Sequence, residues 1–214
     1  MDAINHFLSQ LSNQERAFME TLNSPFKIQA FLDEIKYPSG DVNRSPLQVL
    51  RDGEAHCLDG GLFAATALQL IGFPPMIIDL QPEPERDDDH VLALYRIDGF
   101  WGAVAKSNFN GLRFREAIFR TTRELALSYF EDFFNVLGEK TLRSYSRIIR
   151  LESFDHLNWM VNPAGVDAIE RYLKRIKTLP LISPDQAQRL SPVSKRSFAA
   201  GTLGINLHGV YSPK

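Results

Sequence analysis

Along the chain, apolar positions recur first at helical spacing, then in short alternating runs, then at helical spacing again. In the N-terminal quarter Phe26, Phe31, Leu32 and Ile35 make one helical stripe. Ser12 with Glu15 is a capping-box pattern, and Ser24-Pro25 and Ser45-Pro46 each set a cap before a helix-opening proline. Cys57 to Ile71 (CLDGGLFAATALQLI) is apolar nearly throughout and is closed by Gly72 and Pro74-Pro75, which predicts a buried helix. Gly60 and Gly61 inside it each lower helix stability by about 1 kcal/mol relative to alanine, so another chain segment should pack closely there.

Met76 to Leu80 has strand character, and Gln81 to Asp89 is an acidic, proline-broken loop. HVLALYRI (90–97) and FWGAVAKS (100–107) flank Asp98-Gly99, a dipeptide at ease at positive φ, so they predict adjacent antiparallel strands in a sheet covered on both faces. Beyond Gly111 helix returns. Thr121 with Glu124 caps a helix expected to run through LALSYFEDFFNVLG (125–138), Pro163 opens another, and Ser183-Pro184 opens one more short helix. The final stretch is rich in Ser, Gly, Lys and Pro and predicts a loosely ordered tail. The chain thus divides into an N-terminal helical segment (1–44), a core (45–150), a C-terminal helical annex (151–191) and the tail (192–214).

Composition narrows the function classes. With 24 basic against 26 acidic residues and a formal net charge of −2, the chain lacks the cationic field that holds nucleic acid or an anionic membrane. A single cysteine excludes an intramolecular disulfide and a structural zinc ribbon. The opening residues lack an export-signal pattern, and no apolar run approaches about 18 residues, so the expectation is a cytoplasmic protein with a reduced thiol and no membrane contact. His56 and Cys57 are adjacent and project about 100° apart from a helix start, so no metal is predicted, and no cofactor motif occurs. The acidic loop lacks the alternating ligands and central glycine of a calcium loop. Arg113, Arg115, Arg120 and Arg123 are expected to pair internally, with Glu116 and Glu124 at hand.

The candidate chemistry begins at Cys57. At the start of a helix it faces unpaired backbone N–H groups and the positive end of the helix dipole, which favour the thiolate and suit a developing oxyanion. His90, first residue of a predicted strand, is the candidate base and should lie within hydrogen-bond reach of the thiol. An acceptor that orients the imidazole follows from the hairpin: a two-residue turn places Ser107 opposite His90, while a one-residue bulge places Asn108 there. An amide oxygen is the better partner for an imidazolium, so Asn108 is preferred.

The segments GEAHCLDGGLFAATALQLIGFPPMIIDL and DDDHVLALYRIDGFWGAVAKSN resemble the core of the transglutaminase-like superfamily, relatives of papain-type cysteine enzymes, over residues 45–120. LRFREAIFRTTRELALSYFEDFFNVLGEKTLRSYS is similar to an uncharacterised bacterial branch of it. In that superfamily the cysteine opens a helix, the histidine follows on a strand, and an aspartate or asparagine lies on the next strand. Cys57 and His90 match the first two positions. No aspartate follows Trp101 at the usual place, so the resemblance implies a papain-like Cys57-His90-Asn108 set. It also implies an α+β fold, a cysteine-bearing helix packed on an antiparallel sheet with extra helices at both ends. The implied activity is cleavage or transfer of an amide or peptide acyl group through a Cys57 thioester, with hydrolysis favoured. A catalytically silent interaction module of the same fold is the alternative.

Overall fold

The structure, a computed structural model, describes residues 3–40 and 42–213; Met1, Asp2, Asp41 and Lys214, which include the outer ends of the first segment and the tail, lie outside the described residues. Four helices come first, α1 (Ala3–Gln10), α2 (Asn13–Thr21), α3 (Pro25–Glu34) and α4 (Pro46–Asp52). Three of them start where the sequence marks a cap: Ser12 with Glu15 and Ser45 with Gln48 form reciprocal capping boxes, and Ser24 accepts the Lys27 N–H. Gly53 ends α4 at φ +63°, a left-handed conformation that glycine adopts without strain.

Helix α5 (Cys57–Leu70) is buried from Cys57 to Leu68, as its unbroken apolar sequence requires. It lies on one face of a seven-stranded sheet made of β1 (Met76–Pro82), β2 (His90–Ile97), β3 (Phe100–Val104), β4 (Arg115–Phe119), β5 (Leu142–Ser146), β6 (Ile149–Arg150) and β7 (Thr178–Pro180). The order is β4-β3-β2-β1-β5-β7, with β6 also paired to β1, and every pairing is antiparallel. The remaining helices are α6 (Thr122–Leu127), α7 (Pro163–Leu173), α8 (Pro184–Ala187) and α9 (Lys195–Gly201). The fold is therefore α+β, an antiparallel sheet flanked by helices. None of the helices among the described residues is long and apolar enough to cross a membrane.

Strand alternation sorts β2 between two cores. Val91, Ala93 and Tyr95 join Leu58, Leu62 and Phe63 of α5, and the first helices pack into the same cluster through Phe7, Ile28 and Leu32. Leu92 and Leu94 face the other way, toward Leu125, Tyr129 and Phe133. Both faces are covered, which explains the near-continuous apolar strand. The β2–β3 hairpin turns through Asp98 at φ +50° and Gly99 at φ +88°, and its register runs without a bulge from Ile97↔Phe100 to Ala93↔Val104.

Three expectations are corrected, and a fourth holds with different partners. Strand β3 ends at Val104, short of Ser107, because the chain leaves the ladder as Lys106 turns toward α3, where Nζ donates to Leu32 O and Ile35 O, both at 2.6 Å. Helix α6 stops at Leu127 instead of running to Gly138: Arg115 donates to Ser128 Oγ and O, its guanidinium lies 4.0 Å from the Tyr129 ring centroid, and Tyr129 and Phe133 turn inward under the sheet. Within the arginine cluster the expected internal pairing is present with other carboxylates, Arg113 with Asp33 at 3.2 Å and Arg115 with Asp132 at 3.5 Å in place of Glu116 and Glu124. The segment expected to be a loose tail carries α9 and is tied down, with Asn110 Nδ2 donating to Ala200 O and Leu203 O, both at 2.9 Å.

Candidate active site

Cys57 is the first residue of α5, as its sequence context predicts, and His90 is the first residue of β2. The helix start is held by Asp59, whose carboxylate accepts the backbone N–H of Arg44 at 2.8 Å and that of His56 at 3.3 Å. Gly60 and Gly61 seat the helix against the strands. A β-carbon on Gly60 would stand 2.2 Å from Lys106 Cβ, and one on Gly61 2.8 Å from Val91 Cγ1. The close approach expected at the paired glycines is therefore made by side chains of β2 and of the segment after β3.

The thiol and the imidazole line one cavity, of about 60 Å³, together with Ser107, Asn108 and Leu112. They are not hydrogen-bonded to each other. Since Val91 faces α5, strand parity turns His90 to the opposite face, where its ring centroid lies 6.4 Å from those of both Tyr129 and Phe133. The Cys57 thiol instead donates to the backbone carbonyl of Asp89 at 3.6 Å. Strand β3 has ended by this level, so the register position opposite His90 lies beyond the last ladder pair.

The orienting acceptor is a different group from the one expected. His90 Nε2 lies 2.7 Å from Leu112 O. A carbonyl can only accept, so the neutral ring carries its proton on Nε2 and keeps its lone pair on Nδ1. Asn108 is occupied elsewhere: Nδ2 donates to Asn206 O at 2.9 Å and to Gly209 O at 3.2 Å, and Oδ1 accepts the Asn206 N–H at 2.8 Å. Ser107 Oγ accepts the Phe109 N–H at 3.0 Å. Neither side chain supplies the third member that the hairpin register assigned to it.

Burial reverses the electrostatics expected from the helix start. Desolvation, followed by the nearby charges of Asp89 and Asp88, pushes the Cys57 thiol well above its ordinary value. Desolvation also lowers His90 to about 4, with Arg115 acting in the same direction and the Leu112 hydrogen bond against it. The pair at rest is a neutral thiol and a neutral imidazole. His90 is thus not held cationic by the adjacent aspartates. Burial raises Asp89 to about 7, with Asp88 adding to the shift, and raises Asp87 to about 6 against the hydrogen bond that Thr141 Oγ1 donates to it at 2.6 Å. Asp79, wholly buried on β1, is raised by desolvation and then by Asp89.

Three participants escape sequence reasoning. Leu112 contributes a backbone oxygen, which no side-chain pattern reveals. Tyr37 lines the cavity and packs its ring edge-on against His56, 5.3 Å between centroids, although it arrives from the far end of α3. Gly209, Val210 and Tyr211 close the cavity. Asp79 alone left a signal, a carboxylate amid the apolar MIIDL. No family model matches this sequence, and no curated protein is similar to it.

Proposed function

We propose that the chain is a cysteine enzyme of the papain-like and transglutaminase-like type that cleaves an amide or peptide bond through a thioester at Cys57. The observation that supports this reading is the shared cavity, which is lined both by the helix-opening Cys57 and by His90, whose Nε2 is committed to Leu112 O. In the reaction, the thiol leaves Asp89 O and turns into the shared cavity, where Nδ1 of His90 takes its proton as sulfur bonds to the carbonyl carbon. The imidazolium returns that proton to the nitrogen as the C–N bond breaks. Water, deprotonated by the same ring, then cleaves the thioester and restores the thiol. Leu112 O performs the orienting task that the family resemblance assigns to Asn108.

A second reading, a silent interaction module of the same fold, is favoured by the thiol's hydrogen bond to Asp89 O in place of the imidazole. Peptidyl p-nitroanilides and p-nitrophenyl esters distinguish the two when product release is paired with mass spectrometry of the protein. The expected result is an acyl adduct on Cys57, absent in Cys57→Ala and formed about 10² times more slowly in His90→Ala. Release that persists in Cys57→Ala, or no adduct even with the cavity uncovered, leaves the module reading.

A further inference from the structure

A cavity of about 60 Å³ holds one or two waters and no substrate, and the structure shows what fills the rest of the space. The segment after α9 runs back to the loop after α3, beside the cavity. Asn206 anchors it, its Nδ2 donating to Tyr37 O at 2.8 Å and to Ser39 Oγ at 3.3 Å. Three residues on, the chain passes so close to the loop after α3 that a β-carbon on Gly209 would stand 2.7 Å from Pro38 O. Gly209, Val210 and Tyr211 then form the wall of the cavity that contains Cys57 and His90.

The manner of holding is informative. The hydrogen bonds of Asn108 to this segment are all to its main chain. It donates to the main-chain carbonyls of Asn206 and Gly209 and accepts the main-chain N–H of Asn206. A site that reads donor and acceptor along a backbone, independent of side-chain identity, is the chemistry by which a polypeptide is bound in an extended groove. Asn206 and Val210, with φ/ψ of −81°/105° and −107°/145°, supply extended backbone on either side of the short turn at 207–209.

We propose that Asn108, Tyr37 and the loop after α3 form a peptide-binding groove beside Cys57, and that residues 206–211 are its intramolecular occupant. The proposal rests on the enzymatic reading for what the groove would take, and goes beyond it in naming the segment that fills the groove at rest. The occupant makes the resting protein closed: its local concentration, in the millimolar range for a short tether, outcompetes a dilute peptide until something lifts the segment away.

Iodoacetamide labelling of Cys57 in the full chain tests this without reference to turnover. Gly209→Val introduces the collision with Pro38 O, and Asn206→Ala removes the anchor to Tyr37; both changes lie outside the two cores. Each variant should label at least tenfold faster than wild type at unchanged melting temperature, and a synthetic peptide of residues 204–213 at millimolar concentration should restore protection. Labelling as slow as wild type in both variants overturns the proposal. So does faster labelling that the peptide does not reverse, because general loosening then explains the exposure. An opened variant that binds the peptide yet forms no acyl adduct refutes catalysis and leaves the groove standing.

Discussion

Gly60 and Lys106 meet with no room for a side chain between them: a β-carbon on the glycine would fall 2.2 Å from the lysine Cβ. This contact fixes how deeply α5 sits against the segment that carries Ser107 and Asn108, and Lys106 is itself pinned by Leu32 O and Ile35 O. Gly60→Ala gains about 1 kcal/mol of helix propensity but must displace a backbone-proximal atom, an overpacking cost of up to about 3 kcal/mol. A net loss of about 2 kcal/mol in urea unfolding is expected. An unchanged midpoint would show that the two elements part without penalty.

Cys57 is expected to react slowly in the wild-type chain. Each unit by which burial raises the thiol lowers the thiolate fraction tenfold, so iodoacetamide at pH 8 should label it at least ten times more slowly than free cysteine, and at the free rate in denaturant. Rapid labelling of the folded protein would mean that the helix dipole prevails over desolvation.

The imidazole makes folding acid-sensitive. Its value falls from about 6.5 in the unfolded chain to about 4 in the folded one, so between these pH values the unfolded chain binds the extra proton and stability declines as pH falls. His90→Gln keeps a donor for Leu112 O and cannot titrate. Relative to that variant, the wild type should lose about 3 kcal/mol between pH 6.5 and pH 4. Parallel pH profiles would place the imidazole in water.

Asp89 acts with the opposite sign. Its carboxyl is raised to about 7, so the folded chain holds a proton that the unfolded chain releases above about pH 4, and stability is lost as pH rises toward 7. Asp89→Asn removes this term. The melting-temperature advantage of the variant should be larger at pH 8 than at pH 5; an advantage that shrinks with pH would contradict the partly buried, proton-holding carboxyl.

Arg115 should be intolerant of lysine. Its guanidinium donates to Ser128 Oγ, to Ser128 O, to Gly111 O and to Phe114 O while stacking on Tyr129. An ammonium on a flexible stem cannot reproduce this planar fork. Arg115→Lys is expected to lower stability by about 2 kcal/mol, the scale of losing one or two hydrogen bonds to a charged group. Retention of wild-type stability would reduce the stack to a surface contact.

The local elements of this protein are written in its sequence because their causes are local. The serine caps at Ser12, Ser24 and Ser45, the Asp98-Gly99 turn, the apolar helix from Cys57 and the two-sided strand at His90 each follow from residues within a turn or two of one another. The hairpin register followed as well, since a two-residue turn determines which residues face each other, but the ladder ends at Ala93↔Val104, before the pair that would set Ser107 opposite His90. Which face of the sheet α5 covers is a different matter. Val91 and Leu92 are equally apolar, so the alternation in β2 does not say which side receives the helix, and with it whether His90 points toward Cys57 or away.

Tertiary structure also decided the partners. A carbonyl at Leu112 orients the imidazole, and every residue offers such a carbonyl, so no pattern marks this one. Asn108 was legible as a polar residue at the site's edge, yet its partner lies about a hundred positions later, in a stretch whose small and polar residues read as loosely ordered because the contacts that order it are long-range. Desolvation completed the reversal: a helix start predicts a thiolate when exposed, and the chain folded over Cys57 removes the water that the charge requires.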